Sequence, residues 1–104
     1  MNMKGSLPLL ILNELSTKPG HGYYIAKQIR QKSEGVLDFA EGTLYPTLHN
    51  LEKQGLIEAF EQEEKGRTRR YYRLTSSGQT ALESERKEWA QFSASVNAVL
   101  GGAA

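Results

Sequence analysis

Between Glu41 and Thr75 the spacing of apolar residues changes character, and that change restricts the chain to few architectures. Leu44, Leu48 and Leu51 recur at helical intervals up to Gly55, a helix stop. Leu56 to Glu63 and Arg69 to Leu74 then carry alternating or β-favouring residues on either side of Lys65-Gly66-Arg67, which supplies turn chemistry. A short helix followed at once by a hairpin leaves one helical face and one strand face to be covered. The remainder of the chain has to cover them.

It does so with helices. Leu7, Leu10, Ile11 and Leu15 form one stripe after Ser6, which predicts a first helix over about Ser6 to Ser16 with Pro8 in its first turn and Lys18-Pro19-Gly20 as its end. After His21 and Gly22, one of Tyr23 and Tyr24 joins Ile25 and Ile29 on the apolar face of a second helix, which runs to about Ser33 and stops at Gly35. The third helix is predicted from about Glu41 to Gln54, with Pro46 tolerable near its start. Thr75, or the serines after it, caps a last helix over about Ser77 to Leu100. In that helix Leu82, Trp89, Phe92, Val96 and Val99 recur at threes and fours, with Glu85 the polar member of the seam. Gly101-Gly102-Ala103-Ala104 reads as a frayed tail.

The fold class implied is α+β, mainly α: a winged helix-turn-helix, with a three-helix core and a β-hairpin wing over residues 1–75, and a C-terminal dimerisation helix over residues 76–104. In such a fold the third helix lies against base edges in the major groove, which admits one α-helix. Its outward face carries Thr43, Tyr45, Thr47, His49, Asn50 and Lys53. Thr43, Thr47 and Asn50 can donate and accept hydrogen bonds, Tyr45 can reach a phosphate or a thymine methyl, and His49 and Lys53 can meet the backbone. The wing would place Lys65, Arg67 and Arg69 on neighbouring phosphates or in the minor groove, with Gly66 allowing close approach.

Charge supports the wing more by position than by amount. The net charge is only +1, but Lys65, Arg67, Arg69, Arg70 and Arg73 follow one another without an acidic residue between them. A basic tip on a nearly neutral protein suits local phosphate contact; the plainer alternative is a solvated charged hairpin. With no cysteine there is neither a disulfide nor a thiolate metal site, and the two histidines lie far apart in sequence, so no metal or other cofactor is expected. The apolar run Leu7 to Leu12 is far shorter than the ~20 residues of a membrane span and lacks a cleavage pattern, which suggests a cytoplasmic address. Nothing resembles a nucleophile, phosphate loop or paired-carboxylate site, so an enzyme is not expected.

GTLYPTLHNLEKQGLI, the following KGRTRRYYRLTSSG and the upstream GHGYYIAKQI together resemble the PadR family of bacterial transcriptional regulators over nearly the whole chain. The resemblance implies a homodimeric winged-helix repressor of nearby detoxification, efflux or stress genes, in some members released by a small molecule. It places the family's recognition-helix tyrosine at Tyr45 and its wing motif at Gly66, Arg67, Arg69 and Arg70. Ala40 departs from the pattern, since many relatives have a capping Ser or Asn there; without a cap from Asp38 the helix start loses roughly 1 kcal/mol.

A small core gains from a second subunit. The last helix, paired with the same helix and the first helix of a second subunit, is expected to form a dimer through Leu7, Leu10, Leu82, Trp89, Phe92, Val96 and Val99, setting two recognition helices about 34 Å apart on a pseudo-palindromic operator. By resemblance to short family members, Trp89 could instead stack on a flat aromatic or cationic effector, with Phe92 as wall and Glu85 as charge partner. The competing reading leaves Trp89 as dimer core. A winged helix used only for protein interaction, without specific DNA binding, is the alternative function.

Overall fold

The fold comes from a computed structural model that describes residues 3–102, with side chains from Gly5 onward. In chain order it comprises α1 (Met3–Thr17), β1 (Gly20–His21), α2 (Gly22–Lys32), α3 (Glu41–Lys53), β2 (Ile57–Glu64), β3 (Arg67–Leu74) and α4 (Ser76–Val99). The three strands form one antiparallel sheet in the order β1-β3-β2. The expected α+β winged helix-turn-helix is the architecture observed. Of the expected tail, Ala103 and Ala104 lie outside the described residues.

α1 runs through the middle of the molecule. Leu7, Ile11, Leu12 and Leu15 are buried on it and meet Ile25 and Ile29 of α2, Leu44, Leu48 and Leu51 of α3, Ile57 of β2, Tyr72 of β3 and Leu82 of α4. The helix begins three residues before the expected Ser6, so Pro8 sits in its second turn and not its first. α2 is capped by His21, whose Nδ1 accepts the Tyr24 N–H at 3.1 Å. Of its two tyrosines Tyr24 is the packed one, lying against Gly20, while Tyr23 is exposed. α3 starts at Ala40 with no side-chain cap. Asp38 does not take over; it lies 3.8 Å from Arg30.

The hairpin turn is tighter than expected. Lys65 (φ 50°) and Gly66 (φ 77°) form a two-residue turn with both residues at positive φ, the arrangement whose twist matches flanking antiparallel strands, and Arg67 already belongs to β3. Register pairs Glu64 with Arg67, Phe60 with Tyr71 and Ile57 with Leu74. Because strand neighbours face opposite sides, Tyr72 is buried under the helices and Tyr71 lies on the outer face beside Phe60 and His21. β1 has no counterpart among the elements expected from the sequence; its two residues pair with Tyr72 and Tyr71.

α4 is capped by the Thr75 hydroxyl oxygen, which accepts the Gly78 N–H at 3.0 Å while the hydroxyl donates to the Gly55 carbonyl at 2.7 Å. Gly78 and Leu82 are buried, and Arg86 still bonds Asn13 of α1. Beyond that point the helix leaves the protomer's core: Trp89 (41% exposed), Phe92 (44%), Val96 (39%), Val99 and Leu100 are all open. This corrects part of the expected dimer interface. Leu7 and Leu82 are 0% exposed within a single chain and fill its own core, and Leu10 is half-buried against that core. The projecting helix also explains a radius of gyration of 15.1 Å, above the about 13 Å of a compact chain this long.

Candidate nucleic-acid interface

Burial of Leu44, Leu48 and Leu51 orients α3, because a helix turns ~100° per residue and the opposite face must then look outward. His49, Asn50 and Lys53 are on that side, together with Gly42 and Pro46, two residues without a projecting polar group. Thr43 and Thr47 form one shoulder of the helix. The Thr47 hydroxyl donates to the Thr43 carbonyl at 2.9 Å, so Thr47 is left as an acceptor and does not offer the donor expected of it.

Tyr45 forms the other shoulder and is half-buried. Its ring lies over the first residue of α2, so close that a Cβ on Gly22 would stand 2.7 to 2.9 Å from its Oη, Cε1 and Cζ. Burial, then Glu41, then Tyr72 push the phenol above its ordinary pKa, so it stays a neutral donor. The tyrosine thus fastens the two helices of the helix-turn-helix together as well as facing outward.

The five cations of the wing region divide by strand face. Arg70 points back under the sheet and pairs with Glu52 of α3 at 3.0 Å, over the ring of Tyr72. Arg73 pairs with Glu58 at 2.7 Å and lies over Phe60. Among the described residues, no carboxylate comes within ion-pair distance of Lys65, Arg67 or Arg69. Those three form the basic edge, with Lys65 at the tip and Arg67 and Arg69 on the outer face. Arg70, one of the residues expected on DNA, ties the wing to α3 through Glu52. An acidic group of the wing, Glu64, accepts the Tyr71 hydroxyl at 2.9 Å.

Between α2, α3 and the wing opens a cavity of about 260 Å³ lined by His21, Tyr23, Tyr45, His49, Arg69 and Arg70 among others, with no carboxylate in its wall. His21, Gly22 and Tyr23 of this wall are not among the site residues expected from the sequence. The signal available was their place directly after the first helix stop, where a helix-turn-helix begins its second helix. Burial, then Arg69, hold the His21 imidazole below its ordinary pKa of 6.5, with Glu64 acting in the opposite sense.

A second concave region lies at the other end of the molecule. Leu9 of α1 with Glu85, Glu88, Trp89 and Phe92 of α4 line a cleft of about 200 Å³. The Trp89 and Phe92 rings are 6.1 Å apart. Glu85, Trp89 and Phe92 thus share one cleft, with Leu9 as a further wall. Among the described residues no group of three or more His, Cys, Asp or Glu could hold a metal ion, and no helix is long and apolar enough to cross a membrane.

Residues 11–84 match the Transcriptional regulator PadR-like family. The chain is 33% identical over 99 residues to the transcriptional regulator Rv3488 of Mycobacterium tuberculosis, covering 95% of this chain and 87% of that one. Its fold is similar to the crystal structure of a PadR family transcription regulator from Clostridium difficile (TM-score 0.82, 36% identity, 92% of this chain and 99% of that one). It is also similar to a transcriptional regulator from Clostridium thermocellum (TM-score 0.85, 33% identity, 91% and 90% covered).

Proposed function

The chain belongs to the PadR-like family of transcriptional regulators, and on that premise we propose that it is a homodimeric repressor that binds a pseudo-palindromic DNA operator in the cytoplasm. The observation that carries the DNA reading is the basic edge of Lys65, Arg67 and Arg69, without carboxylate partners among the described residues, with Arg69 sharing a cavity wall with Tyr45 and His49 of α3. α3 supplies selectivity through Thr43, Thr47, His49, Asn50 and Lys53, while the wing supplies sequence-independent phosphate contact. Gly42 and Pro46 let the helix approach the groove floor.

Dimerisation rests on the apolar stripe of α4. Trp89, Phe92, Val96 and Val99 recur at threes and fours, which is the spacing of a helix seam, and a stripe this large is seldom left open on a monomer. The seam starts at Trp89, after Leu82 has been absorbed by the protomer. A twofold axis there would bring two Trp89 clefts together. The flat apolar wall of Trp89, Phe92 and Leu9, with Glu85 and Glu88 at its rim, suits a planar aromatic cation that would act as effector. The genes under control would be neighbouring detoxification, efflux or stress genes.

Fluorescence anisotropy on the DNA upstream of the protein's own and neighbouring genes, at several salt concentrations and against random duplex, tests this reading. Selective binding with a steep salt slope supports it. A folded dimer with no preference over random DNA would point instead to a protein-interaction module.

A further inference from the structure

His21 and Arg69 face each other as two donors without an acceptor. The Nδ1 of His21 is occupied in accepting the Tyr24 N–H at 3.1 Å, which leaves the single hydrogen of the neutral ring on Nε2. Arg69 Nη1 lies 3.5 Å from that Nε2, and a guanidinium carries donors only. Such a contact is not a hydrogen bond; it becomes favourable when an anion's oxygens lie against both N–H groups. Among the described residues, no side chain supplies those oxygens. Glu64 is engaged by the Tyr71 hydroxyl, Glu52 by Arg70, and the adjoining cavity, with Tyr23, Tyr45 and His49 in its wall, contains no carboxylate.

We propose that His21 and Arg69 together clamp one phosphate of the duplex backbone, which makes His21 a DNA contact at the seam between α2 and the wing. The inference rests on the DNA-binding reading above. A phosphodiester has two non-bridging oxygens, one for the Nε2–H of His21 and one for the guanidinium. The cap on α2 is what orients the imidazole: by occupying Nδ1 it aims the only available donor outward. His21 contributes as a neutral donor and releases no counterion, whereas Arg69 contributes charge as well.

The distinguishing variant is His21→Asn, which keeps a side-chain acceptor for the helix cap but is too short to present a donor where Nε2 stands. With the full chain on operator and random duplexes, His21→Asn should weaken binding about tenfold on both and leave the salt slope unchanged. Arg69→Gln should weaken binding and reduce the slope by about one. The double variant should bind no worse than the weaker of the two singles, since both groups serve one phosphate. On the unsubstituted protein, replacing single phosphates by neutral methylphosphonates should reveal one position per half-site whose loss is absent in His21→Asn.

Wild-type affinity in a stably folded His21→Asn, or losses that multiply in the double variant, would overturn the clamp while leaving DNA binding intact. Imidazole nitrogen shifts of His21 that respond to inorganic phosphate but not to duplex would assign the pair to a free anion and overturn it too. If the unsubstituted protein binds no duplex even at low salt, the DNA-binding reading itself fails, and the clamp with it.

Discussion

The ring of Tyr45 occupies the space where a side chain on Gly22 would have to go, its hydroxyl oxygen only 2.7 Å from the position of a Cβ there. Gly22 opens α2 and Tyr45 lies in the second turn of α3, so their contact sets how closely the two helices of the helix-turn-helix approach each other. Gly22→Ala should therefore cost about 1–3 kcal/mol, the usual range for overpacking, and weaken operator binding. Tyr45→Ala removes the obstructing ring, so in urea unfolding the double variant should lose less than the sum of the two singles. Strict additivity would show that the helices adjust without strain.

Arg67 and Arg70 sit three residues apart in one strand, yet they should behave differently on DNA. Arg67 has no acidic partner within ion-pair distance among the described residues, and Arg67→Ala should weaken binding to all sequences and lower the salt slope by about one. Arg70 is paired with Glu52, so Arg70→Ala should leave the slope nearly unchanged. Its loss should lower stability only slightly, as the loss of an exposed ion pair does. Anisotropy titrations across salt concentrations separate the two outcomes.

pH dependence follows from His21. Its pKa is held below the ordinary 6.5 by burial first and Arg69 second, so between the folded and unfolded values the unfolded chain binds the extra proton. Stability should be fully present above the ordinary value of 6.5 and decline as pH falls through the folded value. Protonation also needs Nδ1, which removes the acceptor for the Tyr24 N–H. Melting temperatures followed from neutral to mildly acidic pH should show this decline, and His21→Asn should flatten it.

Leu82 and Trp89 lie seven residues apart on one stripe of α4, the first in the protomer's core and the second exposed, and should fail in different ways. Leu82→Ala opens a cavity in the protomer's core and should cost about 2–5 kcal/mol. Trp89→Glu and Val96→Glu change exposed positions, so the fold should survive while sedimentation shows a monomer. A monomeric wild type, or a dimer unaffected by both glutamates, would remove α4 as the interface.

Effector binding at the Trp89 cleft is open to a direct check. Quenching of the only tryptophan by planar aromatic cations, weakened by Glu85→Gln, is the expected result. Unchanged fluorescence across such a panel would leave Trp89 as interface alone.

Much of this is legible in the sequence wherever the cause is local. Helical spacing identifies the buried leucines of α3, Thr75 carries its own capping oxygen, and the basic turn stands between two runs of strand-favouring residues. Pro8 misleads because proline suits a first turn, whereas α1 continues on its N-terminal side. β1 has no local signal. Two residues cannot show a period, and this strand exists because β3 offers an edge beside it.

Period, capping chemistry and turn chemistry act over a few residues, so the sequence by itself determined the winged-helix class and the order of every element except β1, while its motifs carried the resemblance to the family. Strand alternation is equally local, and it puts Arg69 and Arg70 on opposite faces of the wing whatever packs against them. Only the tertiary structure decided that Arg70 meets Glu52, that Arg69 meets His21, and that Tyr45 closes over Gly22, since each joins residues far apart in the chain. It also decided where the α4 seam passes from the protomer's core to open surface. That point depends on which residues of α1 pack against α4, and no spacing within α4 encodes the packing of its neighbour.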